Sequence, residues 1–527
     1  MAGNKADNVP SQWLNRMTPT AVPTFRLGTQ NVSARERTVA GLVIRRAGGM
    51  TFVRGSVGST GFLGSIVRAG GKCRLGSRPG RAVVRRRPGK TSLRCSAIVA
   101  RGLPVLLTLL LGHDEPARAA TYYVRTSGSD SNHGFSPTTA FATISRAAKQ
   151  AEGTGNVIVV GAGRYPEGMV KPEGGGVKDK PFVFFADRRG EFTGDAGEVI
   201  IDAAGEKNGF WIPGRTWVIV NGFTVTNASE EGIFVKNLSD YSVIANCVVY
   251  SNGGRGIRVR DSADVVIFNN LVYANGGTGI EFEGEGTPGR PLEGSPRGVV
   301  INNTVYGNGV DGVRIEGDFP SEDMMVLNNI IVKNRGTGIN LKEDSKDAFR
   351  SFVGQWNLVS QNAGGGYNTL KYARGILDLR DGPLLVQPAG SDGTLGGPGH
   401  EDDDFRLAEE SPAVDASPIK AKKLGLSGAS ARIDGGRDVG AVDLGFHLEN
   451  ESAPVLKLRK TREGPSWKAR KSFPRYLRKL RKKDETCERK AGEANEKLDR
   501  GRGACVKERS RNRLARSCGS AVYEICR

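Results

Sequence analysis

From about residue 209 the chain repeats one order of hydrophobic and polar positions. A glycine is followed by apolar, variable, apolar and variable residues, as in GIFVK, GIRVR, GIEFE, GVRIE and GINLK. The glycines are Gly209, Gly232, Gly256, Gly279, Gly312 and Gly338, at intervals of 23, 24, 23, 33 and 26 residues. Alternation of this kind is the mark of a half-buried strand. Each unit continues into an unbroken apolar run that ends in asparagine (VIAN, VIFNN, VVINN, MVLNN), then into a third short strand and a further asparagine. Those last asparagines are Asn252, Asn275, Asn308, Asn334 and Asn362. The pattern predicts three strands and three turns per unit of about 24 residues. Such a coil cannot bury its own apolar face, so neighbouring coils must stack. Stacking pairs the strands in parallel at about 4.8 Å. It also places Asn270, Asn303, Asn329 and Asn357 in one column, with Cys247 holding that column in the preceding coil. Asparagine tolerates the left-handed backbone of a sharp turn, and stacked amides can bond up the column. Cys247 is therefore an interior turn residue. Long helical patterns between strands are missing, which excludes an ordinary α/β fold. Hairpin turns are missing too, which excludes a β-sandwich.

Either side of the repeats the pattern changes. Residues 121–208 open with a strand (Tyr122–Val124), a turn-rich loop, an amphipathic helix over about Phe141 to Ala151 and a strand at Asn156–Val160. Residues 390–445 carry SPAVD (411–415) and DVGA (438–441). The stretch Gly128-Ser129-Asp130-Ser131-Asn132 through Phe141-Ala142-Thr143-Ile144 resembles the N-terminal cap of secreted pectate-lyase-like β-helix proteins, with Phe135 in place of the usual threonine. The two later segments resemble the closing element of the same proteins. The resemblance covers roughly 325 of 527 residues. It implies an all-β chain: a single-stranded right-handed parallel β-helix, or pectin-lyase-like solenoid, with a short capping helix at its N-terminal end. The coils span 209–389 and the closing element 390–445. This superfamily includes lyases, hydrolases, epimerases, adhesins and plain binding proteins, so the fold leaves the activity open.

Charge changes the picture at the ends. The formal net charge is +20, but residues 1–95 hold 18 Lys/Arg against 2 Asp/Glu, and residues 456–527 hold 24 against 9. The middle therefore carries −11, and the high isoelectric point implies no nucleic-acid groove. Residues 1–84 are Arg-, Gly- and Ser-rich and are expected to be unstructured, a basic extension ahead of the true start. Residues 85–120 have the order of a signal peptide: Arg85-Arg86-Arg87, the apolar Leu103–Leu111, and small residues at Ala117 and Ala119. The apolar run is short for a membrane span of about 20 residues. Export to the periplasm, the cell surface or the medium is expected, with no stable transmembrane span in the mature chain. Residues 446–527 are expected to be a linker and a small basic, helical tail. Its Cys487, Cys505, Cys518 and Cys526 suit two disulfides with three possible pairings. The tail is of a kind to contact anionic envelope polymers. The four histidines show no zinc spacing.

In the GIxVx strands the apolar residues point inward and the variable ones outward. One outward column reads Trp211, Phe234, Arg258, Glu281, Arg314, Asn340, and its neighbour Lys236, Arg260, Glu283, Glu316, Lys342. In the resembled enzymes one sheet of the coil carries the cleft, and the insertion Gly284–Gly298 would form a wall beside this one. A uronate lyase needs a base for the proton next to the carboxylate, and cations for the charge that develops. Lys236, Arg258 and Arg260 are the candidate catalytic residues. Trp211, Phe234, Arg314, Asn340 and Lys342 are the candidate substrate contacts. Glu281, Glu283 and Glu316 are candidate Ca²⁺ ligands. The partner expected is an acidic polysaccharide, bound by a monomer. Two alternatives stand beside the lyase. A non-catalytic binding or adhesion protein would use the same face. An inverting glycoside hydrolase would use Glu281 and Glu283, about 6.6 Å apart along a strand. Opposite charges on adjacent strands also stabilise a sheet by roughly 0.2–1 kcal/mol each, so a charge ladder explains the columns as well.

Overall fold

The computed structural model describes residues 37–39, 42–47, 50–55, 119–286, 294–317, 321–342, 352–368, 378–448, 456–461, 464–469 and 475–479. The chain divides into two units, Met1–Arg101 and Gly102–Arg527. The first contains a three-stranded antiparallel sheet (Arg37–Val39, Leu42–Ala47, Met50–Gly55), within the stretch expected to lack structure. The signal-like segment up to residue 118 and all four tail cysteines lie outside the described residues.

The second unit is a parallel coil of three sheets with nine, eight and six strands. Successive coils contribute one strand to each. Sheet 1 begins with Thr121–Val124 and ends with Val353–Gln355. Sheet 2 runs from Gly163–Tyr165 to Leu358–Ser360. Sheet 3 consists of Phe210–Pro213, Ile233–Lys236, Ile257–Arg260, Ile280–Gly284, Val313–Gly317 and Ile339–Leu341. Inside the coil, Ile233, Ile257, Ile280, Val313 and Ile339 form one buried apolar stack, and Val235, Val259, Phe282, Ile315 and Leu341 a second. Each such side chain contributes roughly 1.5–3 kcal/mol by leaving water. The capping helix is Ile144–Gln150, shorter than expected, because Thr143 already serves as its N-cap and accepts from Arg146 N at 3.2 Å. Its Ile144, Ala147 and Ala148 join the interior core.

The turns are built on side-chain ladders. Asn270 donates to Asn303 at 2.9 Å, Asn303 to Asn329 at 3.0 Å and Asn329 to Asn357 at 3.0 Å. A second ladder links Asn252, Asn275, Asn308, Asn334 and Asn362 at 2.9–3.0 Å. The left-handed backbone falls one position earlier than the first ladder, at Asn246, Asn269, Asn302, Asn328 and Trp356. The ladder amides are thereby free to point inward, and Cys247 ends their column with its thiol against Ala245 O. Burial pushes that thiol up to about 12, so it is unreactive. The third turn carries a serine ladder, Ser239–Ser262–Ser295–Ser321, in which each hydroxyl accepts the backbone N–H of the previous member at 3.1–3.3 Å. The repeat glycines are required by space rather than by backbone angle. A Cβ at Gly256 would lie 2.4 Å from Val272 Cγ1 and 2.7 Å from Gly279 O. Gly256→Ala is accordingly expected to lower stability by about 1–3 kcal/mol in urea unfolding, with the same slope.

The C-terminal element does not sit over the open end of the coil. It runs along the flank. Ile419, Leu424, Leu426 and Val442 pack on the outer face of sheet 1 with Val243, Phe268, Ile301 and Leu327. Phe405, Leu407, Leu444 and Phe446 pack on the outer face of sheet 2 with Tyr250, Tyr273, Tyr306 and Ile330. The sequence of sheets 1 and 2 requires this, because their strands are apolar on both faces. The tail opens as a hairpin, Leu456–Thr461 with Gly464–Ala469, and residues 480–527 lie outside the described residues. Its Trp467 packs edge-on to Phe185, and a helical segment follows at 475–479.

Candidate functional site

With sheets 1 and 2 covered, sheet 3 presents the outer face that carries the charged columns. The register places Trp211, Phe234, Arg258, Glu281, Arg314 and Asn340 side by side on consecutive strands. It does the same for Lys236, Arg260, Glu283 and Glu316, and Lys342 Nζ reaches Glu316 at 3.4 Å. All eleven candidate residues are therefore gathered on one face.

The face is divided by charge. Arg258 is its centre. It donates to Glu283 at 2.6 Å and to Glu231 at 3.0 Å, and stands 3.5 Å from Glu281. Its guanidinium also lies over the Phe234 ring, 5.0 Å from the centroid. Arg255 donates to Glu281 at 2.9 Å, and Asn208 to Glu231 at 2.9 Å. Farther along, Asp311 accepts from both Arg314 at 2.7 Å and Asn340 at 2.8 Å. Glu281 is 0 % exposed despite its outward register, and its Oε2 has no hydrogen-bond partner. Burial raises its carboxyl above the ordinary glutamate range, against the pull of Arg255. Glu283 is raised for the same reason, opposed by Arg258.

The basic end is different. Lys236 and Arg260 both lie over Phe234, 5.1 and 5.3 Å from its centroid. Arg260 reaches Glu285 at 2.7 Å, at the start of the insertion. Among the described residues no carboxylate lies within ion-pair distance of Lys236. Partial burial lowers its ammonium pKa, and Arg260 and Arg258 lower it further. Trp211 continues the aromatic surface beside Phe234, with Lys171 5.8 Å from its ring centre.

Glu281, Glu283 and Glu316 share the face but are bound to arginines and Lys342. Among the described residues, the His, Cys, Asp and Glu side chains whose ligand atoms gather within 4.8 Å are Asp438, Asp443 and His447, on the C-terminal element. The sequence columns also left out Glu231, Arg255 and Asp311. These occupy the position just before each repeat glycine, a column that reads Asn208, Glu231, Arg255, Thr278, Asp311, Thr337. Its charges were visible in the same alignment and supply the partners of Arg258, Glu281 and Arg314.

Residues 195–290 match a family model described as a right-handed β-helix region. Together with the three parallel sheets, the match decides the architecture. The coil is a right-handed parallel β-helix. The β-helix has similar solved structures. A pectate lyase shares 16% identity over 62% of this chain and 96% of its own, with a TM-score of 0.38. A periplasmic alginate epimerase shares 15% over 45% of this chain, with a TM-score of 0.28. The lacto-N-biosidase from Eubacterium ramulus shares 11% over 47% of this chain and 57% of its own, with a TM-score of 0.36. The match spans about half of the alginate epimerase, 51% of its length. No curated protein matches the sequence significantly. No described helix is long and apolar enough to cross a membrane.

Proposed function

We propose that the outer face of sheet 3 binds an acidic polysaccharide and that Lys236 is the base of an eliminative cleavage of its uronate units. The observation that carries this is the state of Lys236. It is a half-buried amine with no carboxylate partner among the described residues, set over an aromatic ring and beside Arg260. A neutral Lys236 takes the proton next to the uronate carboxylate, Arg260 neutralises the charge that develops, and the bond to the leaving sugar oxygen breaks. The released oxygen takes up a proton, and the new chain end is an unsaturated uronate. Phe234 and Trp211 offer ring faces for sugar stacking.

Burial of Glu281 disfavours the hydrolase, since that carboxylate cannot reach a substrate. The pairing of Arg258 with Glu231 and Glu283 supports a non-catalytic binding protein instead, because a locked arginine serves the sheet as well as a ligand. One assay separates the two. The full chain is incubated with alginate, pectate and glycosaminoglycans, and unsaturated uronate is followed by ultraviolet absorbance. Absorbance is expected to rise with one of them, and Lys236→Gln is expected to lower kcat at least 100-fold. The rate should climb with pH through the lowered Lys236 pKa, because the base must lose its proton first. No absorbance on any polymer would leave the binding protein. A chelator arm addresses Ca²⁺. Loss of activity there that Ca²⁺ restores and Zn²⁺ does not would give Glu281, Glu283 and Glu316 the ligand role suggested by their sequence, whereas their arginine pairing predicts none.

Export is part of the same proposal and rests on the signal-like segment 85–119. Cleavage after Ala119 is expected on N-terminal sequencing of the mature protein, and an uncleaved chain in the cytoplasm would contradict it.

A further inference from the structure

The C-terminal element contains a second cluster, unconnected with the sheet 3 face. Asp438, Asp443 and His447 are all buried, and one ligand atom from each lies within 4.8 Å of the others. Their hydrogen bonds constrain the protons. His447 Nδ1 faces Gly445 O at 2.9 Å, and a carbonyl only accepts, so Nδ1 carries hydrogen. In a neutral ring, Nε2 is then a lone pair, and it faces Asp438 Oδ2 at 2.6 Å. A cation must sit between these two acceptors. The third group points to which one. Asp443 Oδ1 accepts from Asp415 N at 2.7 Å, but its Oδ2 is buried without a partner. A proton shared by His447 and Asp438 leaves that oxygen unsatisfied, which costs about 1–3 kcal/mol or more. A divalent ion satisfies all three.

We propose that Asp438, Asp443 and His447 form a structural site for a divalent transition-metal ion, of which Zn²⁺ is the best fit. One imidazole nitrogen and two carboxylates are ordinary zinc ligands, and two aspartates balance the charge of the ion in a buried place. A histidine that gives its other N–H to a backbone carbonyl is oriented as metal-bound histidines are. Zinc ligands lie about 3.4 Å apart around a tetrahedral ion, so the cluster opens slightly when it loads.

The surroundings give the site a task. Asn269 of the coil bonds both the backbone N and O of His447, at 2.7 and 2.9 Å, and Asn302 donates to Asp443 O at 2.9 Å. Asn269 and Asn302 belong to adjacent coils, so an ion here fastens the covering element across the stack.

The test uses the full chain. After dialysis against Zn²⁺ and removal of excess, metal analysis is expected to show an ion that Asp443→Asn abolishes, and Zn²⁺ is expected to raise Tm in the parent only. Asp443→Asn keeps the acceptor for Asp415 N, so it is expected to fold, and His447→Gln serves as a second variant. Co²⁺ substitution distinguishes this site from the tail cysteines. Visible bands without thiolate charge transfer, lost in Asp443→Asn, support the proposal. No bound ion in the parent, or an ion retained equally by Asp443→Asn, overturns it.

Discussion

Replacing Arg258 with alanine is expected to destabilise the β-helix by about 3–5 kcal/mol at neutral pH, the cost of stranding buried carboxylates. Arg258 is the shared partner of Glu231, Glu283 and, more distantly, Glu281. Without it Glu281 keeps only Arg255, and Glu283 loses the guanidinium that donates to it and offsets its charge. The sign of the pH dependence follows. Burial raises both carboxyls in the folded state, so their protonated forms are favoured there. The stability they contribute is fully present below the unfolded glutamate pKa of about 4.3 and is lost as pH rises through the folded values. Removing Arg258 raises the folded values further. The gap between variant and parent should therefore be small near pH 4 and widen toward pH 7 in urea unfolding. A gap of the same size at both pH values would show that Arg258 acts by packing on Phe234 alone.

The second large effect lies in the turns. Asn303→Ala is expected to cost about 3 kcal/mol or more, since several buried groups lose partners together. Asn303 accepts from Asn270 N and from Asn270 Nδ2, and donates to Ile267 O and Asn329 Oδ1. Its neighbours on the ladder are themselves buried, so water cannot replace it. Because stability in a solenoid passes from coil to coil, the break should also reduce cooperativity. Amide exchange is expected to quicken in the coils on both sides of Asn303. A loss below about 1 kcal/mol with unchanged exchange would mean that the ladder is incidental to the turn.

Much of this architecture was legible from two periods. The GIxVx alternation identified the inner stacks of sheet 3 and its two outward columns, because only one face of that sheet is buried. The same columns placed Asn270 beside Asn303 and Asn252 beside Asn275. Other features were legible only in part. The unbroken apolar runs VIFNN and VVINN signalled strands buried on both faces, yet no local pattern shows what covers them. The covering residues, Ile419, Leu424 and Phe446 among them, come from an irregular segment with its own weak periodicity. Glu231 and Arg255 were overlooked because they precede the strand proper, although they complete the ion pairs of Arg258 and Glu281. His447 and Asp438 are nine residues apart with no zinc spacing, and only the bend of the chain at Gly445 brings them together.

The ion pairs also sharpen the face itself. Arg258 with Glu231 and Glu283, Arg255 with Glu281, and Arg314 with Asp311 form its frame. Lys236, Arg260, Phe234 and Trp211 are what the frame presents. The most direct test of that division is retardation on gels cast with pectate or alginate. The parent chain, a Lys236→Gln/Arg260→Gln variant and a Lys422→Gln/Lys423→Gln variant are compared. The last pair is exposed on the covered flank and changes the charge equally. Retardation lost in the first variant and kept in the second is the predicted result. Equal retardation of all three chains, or none in either gel, would contradict a polysaccharide-binding face on sheet 3.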